Sequence, residues 1–177
     1  MWKLNTSNKG KLAEFQRLFS LHGESLEISQ TDLAEIDADP VQVVVHKASS
    51  LDEHVLVEDT SLDVEGGQPG IYVKWFLENL SEFVGRNAVW RVLLAYREGE
   101  QVYVFKGEVE GTIVESRGIG GFGFDPHFLP KGANKTLAEE KPNRFSARAK
   151  AVEALSEKEV FRIEPLMLEW NGPWQEG

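Results

Sequence analysis

Two adjacent acids, Glu58 and Asp59, follow the apolar run Val55-Leu56-Val57 and precede Thr60-Ser61-Leu62. A continuous Val/Leu run is the pattern of a strand buried on both faces, and α/β proteins collect ligands beyond the carboxyl ends of such strands. Carboxylates delivered to that position are costly unless they hold a cation or a proton. The sharper expectation is a cation site at a strand end. The plainer one is a solvated turn beginning at Glu58, with Asp59 capping the next amide.

Two other stretches carry chemistry. Asn5-Thr6-Ser7-Asn8-Lys9-Gly10-Lys11 is polar throughout and leads into a helical stripe of Leu12, Phe15, Leu18 and Phe19. A helix amino terminus presents unpaired N–H groups and a positive dipole end, which suits phosphate, and Lys9 and Lys11 add charge. The spacing is not that of the glycine-rich phosphate loop GxxxxGK[ST]. A capped helix with surface lysines accounts for the same residues. Further along, Gly118-Ile119-Gly120-Gly121-Phe122-Gly123-Phe124-Asp125 interleaves glycines with aromatics. Such a loop can lay Phe122 and Phe124 on a flat ligand, where base stacking contributes ~1–3 kcal/mol, with Asp125 as a hydrogen-bonding partner. The same rings can instead plug the core, the reading favoured for Phe128. His127 is a lone histidine and is expected to be structural. Lys74, inside the aromatic run 71–77, either snorkels to solvent or shares the Asp59 site.

These residues need elements to hold them. A short strand at 2–4 feeds the polar run, and Gly23 closes the helix after it. Leu26 and Ile28 suggest a second strand. An acidic connection with Asp32, Glu35, Asp37 and Asp39 leads to Pro40, which opens a helix whose buried face is Val41, Val44, Val45, Ala48 and Leu51. Lys47 lies off that stripe, a solvent lysine unless a ligand comes near. Residues 66–70 form a turn. A strand at 88–96, a turn at 97–100 and a return strand at 102–105 make a hairpin, extended through 108–114. Ser146 caps a helix over 147–155, and Arg148 in its first turn opposes the helix dipole, so it either answers a ligand or is simply exposed. The tail carries Leu166, Leu168, Trp170 and Trp174, and packs across the surface or adds an edge strand. The pattern is α/β, with an antiparallel middle and mixed ends, in a single domain over 1–177 with a C-terminal extension, 162–177, of unassigned role.

Composition narrows the function classes. The chain has 177 residues, 41% hydrophobic and 27% charged, enough for a proper core without staples. It has no cysteine, which excludes disulfides, zinc-thiolate sites and thiol nucleophiles. The net charge of −10 argues against a broad nucleic-acid footprint, but leaves room for a small polyanion with Mg²⁺. No apolar segment is long enough to span a membrane and no secretory signal is visible, so a cytoplasmic protein is expected.

In order along the chain, several motifs resemble the inosine triphosphate pyrophosphatase family. They are Thr6-Ser7-Asn8-Lys9-Gly10-Lys11-Leu12-Ala13-Glu14-Phe15, Val57-Glu58-Asp59-Thr60-Ser61-Leu62, Pro69-Gly70-Ile71-Tyr72-Val73-Lys74-Trp75-Phe76, and Gly121-Phe122-Gly123-Phe124-Asp125-Pro126-His127-Phe128. Thr136-Leu137-Ala138-Glu139 and Ser146-Ala147-Arg148-Ala149-Lys150-Ala151 complete the set. The resemblance implies an elongated mixed sheet flanked by helices, two lobes with a central cleft, and a homodimer. It implies Mg²⁺-dependent hydrolysis of deaminated purine nucleotides, ITP, dITP and XTP, to the monophosphate and pyrophosphate, which cleanses the nucleotide pool. It places Thr6, Asn8, Lys11, Lys47 and Lys74 on the phosphates, Glu35 and Asp59 at the metal with Glu58 beside them, and Asp59 or Glu58 as the group that orients water. Phe122 and Phe124 would flank the base, with Asp125, Ser146 and Arg148 completing the pocket.

One departure bears on selectivity. The family's last motif carries Ser-His-Arg, whereas here Ala147 stands between Ser146 and Arg148, and Lys141 is offset from the family's base-pocket lysine. Loss of a hydrogen-bonding group erodes discrimination of the purine 6-oxo group. Selectivity for inosine over adenosine nucleotides is therefore expected to be weakened or retargeted. A pyrophosphatase for another base, and a nucleotide-binding module without catalysis, stay open as alternatives.

Overall fold

The computed structural model describes residues 1–67, 73–121 and 123–175, with Val73 and Lys74 described by backbone alone. The first strand, β1 (Trp2–Asn5), leads into α1 (Lys9–Ser20) and β2 (Leu26–Ser29), and α2 (Pro40–Ser49) into β3 (Val55–Val64). Both helices begin where the sequence supplies a side-chain acceptor. Asn8 caps α1 by accepting from the Lys11 N–H at 3.0 Å, and Asp39 caps α2 by accepting from the Gln42 N–H at 3.0 Å, with Pro40 at the first helical position. Phe15, Leu18 and Phe19 form the buried stripe of α1. On α2 the stripe is Val43, Val44, Val45, Ala48 and Ser49.

The helical crossovers let β1 pair in parallel with both β2 and β3, Leu4 lying opposite Ile28 and Leu56. The hairpin is antiparallel, β4 (Asn87–Glu98) and β5 (Gln101–Ile113), turning at Gly99 with φ of 62°. Two short strands pair antiparallel with β5. One is β6 (Phe128–Pro130), with Ile113 opposite Phe128, and the other is β7 (Arg162–Pro165), with Val102 opposite Glu164. The result is a mixed seven-stranded sheet in the order β2-β1-β3-β4-β5-β6, with β7 on β5. Helices α3 (Val73–Glu78) and α4 (Ala147–Glu157) complete the α/β chain.

Contacts divide the chain into two compact units. The first comprises Met1–Asp59, Val92–Gly107 and Arg148–Gly177, and the second Thr60–Arg91 and Glu108–Ala147. In the first, Val44, Val45, Ala48, Val57, Leu93 and Val104 form a continuous apolar cluster, with Leu166 and Met167 packed against it. In the second, the fully buried Trp90 meets Phe124 and Phe128 edge-on, with ring centroids 6.1 and 6.3 Å away.

Two expectations change here. The strand carrying Glu58 and Asp59 does not end at them; β3 continues to Val64. Leu62 and Val64 are buried beyond the acids, so core packing carries the strand past a point where local polarity suggested a stop. A solvated turn at Glu58 is thereby ruled out. The tail does both things expected of it, adding β7 to the sheet edge and then packing along α2 through Leu166 and Met167.

Candidate functional site

In the first unit, the amino-terminal end of α1, the acidic connection and the middle of β3 enclose a cavity of about 420 Å³. Thr6, Asn8, Lys11, Glu35, Lys47 and Glu58 line it, so the fold brings together six residues scattered over the first third of the chain. The rim is locally organised. The Thr6 hydroxyl oxygen accepts from the Asn8 N–H at 3.1 Å. Asn5 exchanges two hydrogen bonds with the Thr31 backbone, at 3.0 and 2.8 Å, which ties the start of the acidic connection to the end of β1. Asn5, from the polar run, and Thr31, from the acidic connection, also line the cavity.

Two ion pairs cross the site. Lys11 Nζ meets Glu58 Oε1 at 2.6 Å, and Lys47 Nζ meets Glu35 Oε1 at 2.9 Å while also donating to the Glu58 carbonyl at 2.8 Å. Lys47 is thus no solvent lysine. Its charge is held inward because the Glu58 carbonyl and the Glu35 carboxylate both accept from it.

Glu58 and Asp59 diverge in protonation although they are neighbours. Burial pushes the Glu58 carboxyl up, but the charges of Lys11, Arg148 and Lys47 and the Lys11 hydrogen bond outweigh it and bring it down to about 2. Burial raises Asp59, and the negative charges of Glu58 and Glu35 add to this, against the lysines, taking it to about 7. Glu58 is therefore a fixed anion, while half-buried Asp59 sits where it can gain or lose a proton near neutrality.

Arg148, in the first turn of α4, is 2% exposed, and its Nη1 lies 3.4 Å from Glu14 Oε2 on α1. The sequence placed it with a base pocket; the structure sets its guanidinium in the first unit, where its field reaches Glu58. Glu14 is a partner that sequence reasoning missed. Its signal was its place in the Thr6–Phe15 motif, next to the buried Phe15.

The second unit holds the glycine-rich loop. Asp125 is 2% exposed and pairs with Lys141 Nζ at 2.7 Å. The Thr136-Leu137-Ala138-Glu139 motif supports it. Glu139 accepts from the Thr136 N–H at 3.0 Å, the Thr136 hydroxyl donates to the Arg117 carbonyl at 2.6 Å, and the Ala138 N–H donates to the Asp125 carbonyl at 3.2 Å. Gly121 has φ of 72°, and a Cβ there would strike the Asp125 carboxylate, so both conformation and space require glycine. Phe124 is buried between Trp90 and Phe128, and its ring is committed to the core. Ser146 and Ala147 are fully buried. Phe122 and the side chain of Lys74 lie outside the described residues. Among the described residues, no three or more His, Cys, Asp or Glu side chains come together as a group that could hold a metal ion, and no helix is long and apolar enough to cross a membrane.

A helix amino terminus facing paired lysines and carboxylates is a site of the kind that takes a polyanion together with a cation. Comparison with known proteins gives this class its family. The Ham1 family model matches residues 2–158, and the chain belongs to that family. It is 38% identical to the inosine triphosphate pyrophosphatase of Yarrowia lipolytica, with 85% of this chain and 90% of that protein covered. It is also 38% identical to the dITP/XTP pyrophosphatase of Pyrobaculum aerophilum, over 86% of this chain and 92% of the relative. Among solved structures, a nucleoside-triphosphatase/dITP/XTP pyrophosphatase from Mycobacterium abscessus superposes with a TM-score of 0.56 at 26% identity, covering 86% of this chain and 96% of the other.

Proposed function

We propose that this chain hydrolyses deaminated purine nucleoside triphosphates, ITP, dITP and XTP, to the monophosphate and pyrophosphate, with Mg²⁺, and so cleanses the nucleotide pool. Its relatives are inosine triphosphate and dITP/XTP pyrophosphatases, and it is a hydrolase of phosphoric anhydrides like them. The observation that carries the site assignment is the pair of lysine–carboxylate contacts in one cavity at the start of α1.

That arrangement suits a metal-bound polyphosphate. The free site is self-neutralised, Lys11 against Glu58 and Lys47 against Glu35. With substrate bound, Lys11 and Lys47 would trade their carboxylates for phosphate oxygens, and Glu58 and Glu35 would be left to hold a cation. Little net charge has to be desolvated in the exchange. Mg²⁺ ordinarily takes one or two carboxylates, substrate phosphates and several waters, so an open set of Glu35 and Asp59, with Glu58 adjoining, fits it without a closed cage. Asp59 is raised first by burial and then by the charges of Glu58 and Glu35, and a cation held there would offset both. Bound there, Mg²⁺ would shield the phosphates and make a coordinated water more acidic.

The chain's own groups account for the remaining steps. Thr6, Asn8 and the α1 amino terminus seat the phosphates, with Lys74 on α3 as a further expected contact. Asp59 or Glu58 would orient water toward the α-phosphorus and take up its proton. Lys11 and Lys47 balance charge accumulating on the pyrophosphate leaving group. In the second unit, Asp125, held by Lys141, offers a fixed acceptor to the base, together with Phe122 and Ser146. Pyrophosphate release from ITP with Mg²⁺, using Asp59→Asn as control, tests the reading. Equal inertness of both proteins across ITP, dITP and XTP would leave only a binding module.

A further inference from the structure

The family match ends at residue 158, yet residues 159–175 are folded and end on Glu35. The path is anchored at each step. The Phe161 N–H donates to the Val104 carbonyl at 2.8 Å, and β7 then pairs with β5. The Met167 N–H donates at 2.9 Å to the Ser49 hydroxyl of α2, which itself donates to the Val45 carbonyl at 2.7 Å. The Trp170 indole N–H closes the next turn on the Pro173 carbonyl at 2.8 Å, and Gly172 has no Cβ because the Trp170 ring lies where one would stand, 2.5 Å away. The chain then runs antiparallel to the acidic connection, Trp174 opposite Ile36. Pro173 accepts from the Asp37 N–H at 2.9 Å. The Gln175 N–H donates to the Glu35 carbonyl at 2.8 Å, and its side-chain amide donates to the Ile36 carbonyl at 3.0 Å. Trp174 lies edge-on to His46, with ring centroids 5.4 Å apart, beside Lys47 in sequence.

We propose that this tail is a clamp that positions the Glu35 carboxylate, with Gln175 as the positioning residue. The clamp rests on the reading of Glu35 as a cation ligand. The acidic connection between β2 and α2 has little regular structure of its own, being bridged only at Ile36. The Glu35 and Ile36 carbonyls and the Asp37 N–H take their hydrogen bonds from the tail, so the direction of the Glu35 side chain toward Lys47 depends on a segment outside the family match. Groups that orient a metal ligand from behind typically change metal affinity 10–100-fold when removed, an effect that does not require contact with the metal.

One substitution removes both Gln175 bonds. Gln175→Pro has no N–H and no side-chain amide, and the extended conformation it imposes on Trp174 is one a bridged residue already holds. Gln175→Ala keeps the N–H bond and serves as the conservative variant. Mn²⁺ binding to the full chain without nucleotide, followed by electron paramagnetic resonance, gives a readout independent of turnover. Hydrogen exchange at Asp37 reports the strap itself. The expected result is a roughly tenfold rise in the Mn²⁺ dissociation constant for Gln175→Pro. Gln175→Ala should show a rise of only about two- to threefold. In a Glu35→Ala background, Gln175→Pro should cause no further change. If Glu35→Ala weakens Mn²⁺ but Gln175→Pro does not, or if Gln175→Pro acts equally in the Glu35→Ala background, the clamp is overturned and the cation reading stands. If Glu35→Ala leaves Mn²⁺ affinity unchanged, the cation reading falls and the clamp with it.

Discussion

Replacing Asp59 by Asn should make the metal-free protein more stable above neutral pH while abolishing its activity. The Asp59 carboxyl is raised from 3.8 to about 7, first by burial and then by Glu58 and Glu35. A raised carboxyl pKa means that the folded state holds the proton more tightly than the unfolded one. Stability from this group is whole below 3.8 and is lost as the pH rises through about 7. Each pKa unit corresponds to about 1.4 kcal/mol, so the full shift amounts to about 4 kcal/mol, reduced to roughly 2–3 kcal/mol by partial solvent access. Asn keeps the shape and has no proton to lose. Urea unfolding in EDTA should find the variant close to wild type at about pH 4 and more stable by roughly 2–3 kcal/mol at about pH 8, a rise in Tm of roughly 4–10 °C. Adding Mg²⁺ at about 100 times its dissociation constant should stabilise the wild type by ~2.7 kcal/mol and close the gap, because the variant has lost a ligand. If Asp59→Asn is no more stable than wild type at about pH 8 without metal, the acids do not strain one another and the electrostatic case for a cation there collapses.

The other expectations concern the same two units. Lys11→Met takes from buried Glu58 its hydrogen-bonded cation, and should cost about 2–3 kcal/mol in urea unfolding together with loss of ITP hydrolysis. Glu58 is depressed from 4.5 to about 2, so its stabilisation is present above 4.5 and lost as the pH falls toward about 2. An acid titration of Glu58→Gln should be flatter over that interval, and an unchanged curve would refute the pairing. Gly121→Ala combines a left-handed φ of 72° with a clash at Asp125, and should destabilise by about 1–3 kcal/mol while raising KM more than it lowers kcat. Comparing kcat/KM for ITP, XTP, dUTP and ATP tests the consequence of Ala147. An ordinary preference for ITP over ATP would show that selectivity does not need the family's histidine.

Local sequence was enough for most elements, because capping and periodicity act over a few residues. Asn8 and Asp39-Pro40 mark their helix starts, the 88–105 stretch shows its hairpin, and the α1 and α2 stripes announce their buried faces. The motifs also pointed to Lys11, Glu58 and Asp59 as one site. What they did not carry was how charge is distributed within it. Whether Glu58 is an anion and Asp59 a proton holder depends on Lys11, Arg148, Lys47 and Glu35, which approach from α1, α4, α2 and the acidic connection. The extension of β3 beyond the acids follows from the burial of Leu62 and Val64, a packing term that local polarity outweighs on paper. Phe124 shows the same limit, since a glycine-flanked ring reads alike whether it faces a ligand or, as here, Trp90 and Phe128. The sequence by itself determined α1, α2, α4, the first strands and the hairpin, and the family, but not α3 or β6. Only the tertiary structure decided the protonation and the partners of the site residues, including the tail on Glu35, because Coulomb energies and burial depend on distances between segments that the chain order does not contain.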